Sequence, residues 1–232
     1  MNDDVSGPPR RLAEVYEPGR PGLPRGRSSL PAEVVRAEQR RRLLAACISA
    51  VAANGYAQTT VAQVVARARV SRKAFYDHFA DLQDCFLSAM SDAQAAIVRE
   101  LTELAPARPR SARAALRSGL GAYLALCARE PEYARCILVE LPAAGPRALR
   151  GRDRGYRLVG DVLRAWREHA ARRRPEWRAV PDEVYPAAVG AVAELILAHV
   201  LREDTARLPE LLDPLTEILL RVLDAPLPPD PA

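Results

Sequence analysis

Residues 59–79, Thr-Thr-Val-Ala-Gln-Val-Val-Ala-Arg-Ala-Arg-Val-Ser-Arg-Lys-Ala-Phe-Tyr-Asp-His-Phe, constrain the fold more than any other stretch. They read as two short helices joined by a tight turn. In the first, Val61, Val64, Val65 and Ala68 recur at i, i+3, i+4 and i+7 and so share one apolar face. Thr59 or Thr60 caps its start. The pattern breaks at Ala68-Arg69-Val70, and Ser71 is placed to N-cap a second helix whose Phe75 and Phe79, four apart, fall on one side. Those rings turn inward, which leaves Arg72, Lys73, Tyr76 and, at the edge, His78 outward. A surface of hydroxyl, cations and phenol suits a phosphate-lined groove.

From Pro31 onward Pro and Gly punctuate helical patterns, and no alternating strand pattern of useful length occurs. The periodicity predicts helices near 32–54, 60–67, 71–78, 82–104, 110–128, 131–141, 152–173, 182–203 and 208–224. Residues 1–30 are rich in Pro, Gly and Arg and lack a helical stripe, so a disordered arm is expected there. Arg25 and Arg27 of this arm either belong to a solvated tail or enter a DNA minor groove.

Net charge is +5 over 232 residues, with a pI near 9.3. That balance permits nucleic-acid binding without requiring it. Cys47, Cys85, Cys127 and Cys136 have neither CxxC nor Cys/His metal spacing, which favours reduced structural thiols over a redox sensor and gives no metal site. His78, His169 and His199 stand in no nucleophile or phosphate-loop motif, so no catalytic residues and no cofactor are expected. No signal peptide opens the chain and no uncharged apolar run of roughly 18 residues occurs, so no membrane partner and a cytoplasmic location are expected.

Thr60, Val64, Val65, Ala66, Ala68, Val70, Ser71, Tyr76 and Phe79 resemble the DNA-binding signature of the TetR (tetracycline-repressor type) family of bacterial transcription regulators. The resemblance covers about residues 36–90, including the Gly55-Tyr56 turn after the first helix. Two positions depart from it: Arg69 stands where the family has a turn glycine, and Leu82 where a lysine is common.

The resemblance implies an all-α fold, with an N-terminal helix-turn-helix three-helix head and a C-terminal helical ligand-binding and dimerisation domain. The boundaries expected are an arm over 1–30, the head over 31–80, the helical body over 81–225 and a coil tail over 226–232. The function implied is sequence-specific DNA-binding regulation, with repression relieved by a small-molecule effector as the default mode. A dimeric ligand-binding adaptor that has lost DNA binding is the alternative.

On this reading a homodimer binds a palindromic double-stranded operator through Ser71 to His78 of each subunit. Arg72 and Lys73 read base edges, while Thr60, Tyr76 and His78 contact phosphates. The effector, of unknown identity, is expected among Tyr123, Cys127, Tyr133, Cys136, Glu140, Tyr156 and Trp166, each of which also reads as plain packing. The dimer interface is expected to use Ala188, Ala191, Val192, Leu195, Leu215 and Leu219 from the last two helices, where monomer core is the competing reading.

Overall fold

The computed structural model describes residues 31–104 and 110–228. The arm over 1–30, with Arg25 and Arg27, and the last four residues of the expected tail lie outside them. Among the described residues the chain is helical throughout, without strands. They fall into two compact units that divide between Ala89 and Met90.

The first unit holds α1 (Ala32–Asn54), α2 (Val61–Ala68), α3 (Arg72–His78) and the opening turns of α4 (Leu82–Leu104). Gly55, at φ 78°, ends α1 in a conformation that a side chain would strain. Thr59 is buried and its hydroxyl donates to the Gly55 carbonyl at 2.7 Å, so Thr60 is left as the cap of α2. The core gathers Leu43, Cys47 and Val51 of α1, Val64 and Ala68 of α2, Phe75 and Phe79, and Cys85 and Phe86 of α4. Fully burying a ring such as Phe75 or Phe86 contributes roughly 1.5–3 kcal/mol. Because Phe86 also stacks on Tyr56 at 5.2 Å between ring centroids, the start of α4 belongs to this unit rather than to the body.

The second unit continues α4 and adds α5 (Ala112–Arg129), α6 (Pro131–Arg135), a wide five-residue π turn at Cys136–Glu140, α7 (Leu141–Ala143), α8 (Pro146–Ala171), α9 (Val184–Leu201) and α10 (Leu212–Val222). Ser111 caps α5, accepting from the Ala114 amide at 2.9 Å. The single helix expected over 131–141 is therefore interrupted, and α8 starts six residues before its expected start. Pro146 opens α8 at the first helical position, where its missing N–H costs nothing. Gly160 lets α8 meet α9 closely: a Cβ there would lie 3.4 Å from the Tyr185 and Pro186 main chain.

Helix α10 packs on α5 through Leu215 and Leu219, both buried. Its polar side carries Asp213 and Glu217, which pair with Arg117 and Arg113 of α5. The expected interface residues Leu215, Leu219, Ala188 and Val192 are thus corrected to monomer core. They are the positions that α10 and α9 turn toward their own chain. Of the six, only Leu195 is exposed, at 37%, with Ala191 half-buried.

Arg167 of α8 is buried and donates to three main-chain carbonyls. Its Nε donates to Leu223 O at 2.6 Å, and one Nη to Arg178 O and Asp224 O at 2.5 and 3.2 Å. One cation thereby ties α8, the 174–183 loop and the C-terminal end of α10 together.

Candidate nucleic-acid interface

Thr60 and Gln63 form a reciprocal capping box at the start of α2, with Thr60 N donating to Gln63 Oε1 at 2.8 Å and Gln63 N to Thr60 Oγ1 at 3.3 Å. The helix ends at Arg69, which adopts the left-handed conformation (φ 52°, ψ 43°) that the missing glycine would have taken freely. Holding a side chain there costs about 1–2 kcal/mol, offset by the two carbonyl contacts of its amide and by burial of Val70 next to it. Ser71 then caps α3, accepting from Ala74 N at 3.1 Å.

The second helix divides cleanly. Phe75 and Phe79 are buried, 5.6 Å apart between centroids, whereas Ser71, Arg72, Lys73 and Tyr76 are exposed. Tyr76 is 50% exposed despite its size, with one edge against Phe75. The Arg72 guanidinium lies 5.9 Å from the Tyr76 ring, so the phenol holds the cation in place.

His78 is half-buried. Burial first, then the charges of Arg36 and Arg40, lower its pKa below the usual histidine value, so it is neutral at pH 7. A neutral imidazole contacts phosphate as a hydrogen-bonding group and adds no charge. Leu82 is half-buried at the start of α4, flanked by acids: Asp81 accepts from Asp84 N at 2.7 Å, and Asp84 from Ala80 N at 3.1 Å. The cation that a lysine would have offered is replaced there by a capping pair of carboxylates.

The family model for bacterial regulatory proteins of the tetR family matches residues 43–89, the segment that contains both short helices and their turn. The chain carries a tetR-family DNA-binding domain. It is a transcriptional regulator with a DNA-binding helix-turn-helix. No curated protein matches the chain in sequence.

Solved TetR-like structures match most of its length. FadR of Bacillus subtilis, in complex with stearoyl-CoA, aligns with a TM-score of 0.70 at 15% identity over 80% of this chain and 98% of that one. The fatty acid degradation regulator FadR of Bacillus halodurans gives 0.68 at 15% over 78% and 94%. SCO4454 of Streptomyces coelicolor, a TetR-family regulator, gives 0.62 at 19% over 81% and 96%. At such identities the likeness concerns the fold.

In the helical body five of the seven expected effector residues come together. The Tyr123 hydroxyl is hydrogen-bonded to the Cys127 sulfur, with Tyr133 and Tyr156 close enough to act on it electrostatically, and Cys136 beside Tyr133. Burial pushes Tyr123 and Tyr133 well above the usual phenol range and the Cys127 thiol up to about 12, so these groups stay protonated at any physiological pH. Tyr123 itself is half-buried.

The other two residues stand apart. Trp166 donates from Nε1 to Ala112 O at 2.8 Å, and lies ten residues along α8 from Tyr156, about 15 Å of helix. Glu140 is buried in the π turn and pairs with Arg135 at 3.4 Å. In a regular helix residues five apart diverge, and the widened turn brings these two onto one side.

The four cysteines are free and buried, which fits structural thiols. Cys85 is hydrogen-bonded to Cys47, and this bond together with burial raises its pKa far above the range in which a thiolate forms. Among the described residues no group of His, Cys, Asp and Glu has the arrangement to hold a metal.

Sequence reading missed Arg36 and Arg40. Arg36 donates from Nη2 to Asp77 O at the end of α3 at 3.2 Å, and the Arg40 guanidinium lies 5.3 Å from the Phe79 ring. Their four-residue spacing along α1 was the available signal.

Proposed function

We propose that the chain is a homodimeric repressor whose two α3 helices enter successive major grooves of a near-palindromic operator, and which a small molecule bound among the helices around Tyr123 releases. The observation that carries this reading is α3 itself: a short helix anchored by two buried rings and presenting Arg72, Lys73 and Tyr76 to solvent. Arg72, held against Tyr76, reads a base edge, and Lys73 stands beside it. Thr60 and Tyr76 contact phosphates and fix register.

A second copy supplies the other half-site. Its docking face is apolar surface left exposed on α8 and α9: Leu158 and Val162, four apart on α8, and Leu195 on α9. Val162 is 60% exposed. Only 33% of α9 is buried, although that helix is long and apolar enough to cross a membrane by length and composition. An outward apolar face covered by a symmetric partner accounts for this composition. Val162→Glu, read by light scattering, is expected to shift the dimer toward monomer and weaken operator binding with it.

The effector has an apolar body. The cluster around Tyr123 combines phenols and thiols that stay uncharged, and FadR of Bacillus subtilis, similar in fold, holds stearoyl-CoA. A coupling of about 1–3 kcal/mol between the effector site and the heads gives a several-fold to hundred-fold change in operator affinity.

The test is a gel-shift titration on the duplex upstream of the chain's own gene, with and without stearoyl-CoA. Arg72→Ala is expected to cost roughly 1–3 kcal/mol and to relax selectivity at one position. Tyr76→Phe retains the ring that holds Arg72 and weakens all sequences evenly. Unchanged affinity in both variants refutes the assignment of α3.

The acids at the start of α4 favour one competitor, a dimeric ligand-binding adaptor without DNA binding. It is separated by salt dependence, since several phosphate contacts give a steep negative slope of log affinity against log salt.

A further inference from the structure

We propose that Arg36 and Arg40 of α1 are phosphate-contacting residues, which carry the DNA-binding surface past the C-terminal end of α3. This deepens the proposed function and rests on the reading of α3 as the groove-entering helix.

The two arginines lie four apart and so share one face of α1. Each is fixed against the far end of α3 by a different contact. Arg36 is exposed and spends one guanidinium N–H on Asp77 O, at 3.2 Å. A guanidinium has five donors in a fixed fork, so a second acceptor such as a phosphate oxygen can be bound at the same time. Arg40 stacks 5.3 Å from the Phe79 ring. Arg41 and Arg42, next along α1, hold their charge against the Glu38 carboxylate at 2.8 and 2.9 Å.

Length connects these cations to the groove. Helix α3 has seven residues, about 10 Å at 1.5 Å per residue, and the major groove is about 12 Å wide. Arg72 and Lys73 stand at the start of α3, and Arg36 and Arg40 at its end. Two cationic clusters are therefore separated by nearly one groove width, and a base-reading start leaves the far cluster at the phosphate wall. The lowered pKa of His78, caused in part by the same two arginines, reflects the positive potential at that end. His78 supplies none of it at pH 7. The cations at that end belong to α1.

The experiment uses full-length protein carrying Arg36→Gln, Arg40→Gln or Arg36→Lys, with Arg157→Gln on the exposed face of α8 as control. Affinity for the upstream duplex and for a scrambled duplex is measured across a salt series. Each glutamine variant is expected to flatten the slope of log affinity against log salt by about 1.8, two contacts per dimer at about 0.9 each. Both duplexes lose affinity by the same factor, the thermal melt is unchanged, and Arg36→Lys restores the slope. Arg157→Gln leaves it unaltered.

Wild-type slopes in both glutamine variants, with operator binding intact, overturn the proposal and spare the function. Altered preference between the duplexes in Arg36→Gln, not rescued by lysine, also overturns it, because Arg36 then acts only by holding α3. A wild-type chain that binds neither duplex refutes the functional reading and this proposal with it.

Discussion

Replacing Arg167 with methionine is expected to destabilise the second unit by about 1.5–3 kcal/mol, the range for hydrogen bonds made by a charged group. Methionine keeps an unbranched apolar stem of similar length, so packing along α8 is largely retained and the loss isolates the guanidinium. What remains are the carbonyls of Arg178, Leu223 and Asp224 without their donor. The Leu223 carbonyl is buried, and leaving it unmet costs roughly 1–3 kcal/mol. Two of the three carbonyls lie just beyond the last turn of α10, whose end is already drawn tight by Asp224 at φ 45° and by the Ala225 amide reaching back to Leu220 O at 2.9 Å.

Lysine is expected to rescue only part, because a single ammonium cannot span three carbonyls in the plane of a guanidinium. The readout is urea unfolding followed by tryptophan fluorescence. Trp166 and Trp177 are the chain's only tryptophans, both belong to the second unit, and the Arg167 guanidinium lies 5.6 Å from the Trp177 ring. A midpoint within error of wild type would mean that the three carbonyls find other donors.

Phe75→Ala is the counterpart in the first unit. Phe75 is fully buried between Phe79 and the edge of Tyr76, and truncating a core phenylalanine costs roughly 3–5 kcal/mol. A unit of this size has little stability to spare. Operator binding is therefore expected to disappear, and circular dichroism to gain an early helical transition. The tryptophan-monitored transition should stay in place, since no tryptophan lies in this unit. Tyr76→Ala, at an exposed position one residue away, should weaken DNA binding without an early transition. If Phe75→Ala bound the operator with wild-type affinity, the helix would not be held by its rings.

The head was legible because local chemistry and tertiary packing agree there. Apolar spacing placed Val64, Ala68, Phe75 and Phe79 inward, and Thr60 and Ser71 became the caps that their hydroxyls suggested. Even the strain at Arg69 follows from its place in a turn that requires positive φ. The body was less legible. Gly151 and Gly155 obscured the start of α8, although a helix that packs tertiary neighbours tolerates them. The π turn left no sequence mark, because one extra residue per turn is set by the contacts around Cys136 and Glu140 and not by local preference. Trp166 was expected at the pocket from the resemblance, and its indole donates to the Ala112 carbonyl at the start of α5.

The amino-acid order by itself determined a helical chain, a capped pair of short helices, and which of their side chains share a face. Only the tertiary structure decided what each face meets. Helix α9 is apolar on nearly every side, so no periodicity separates the stripe of Ala188 and Val192, turned to the core, from Leu195, turned outward. Arg36 and Asp77 are 41 residues apart, and Arg167 and Leu223 are 56 apart. Contacts at such separations arise from the path of the whole chain, and local patterns carry no record of it.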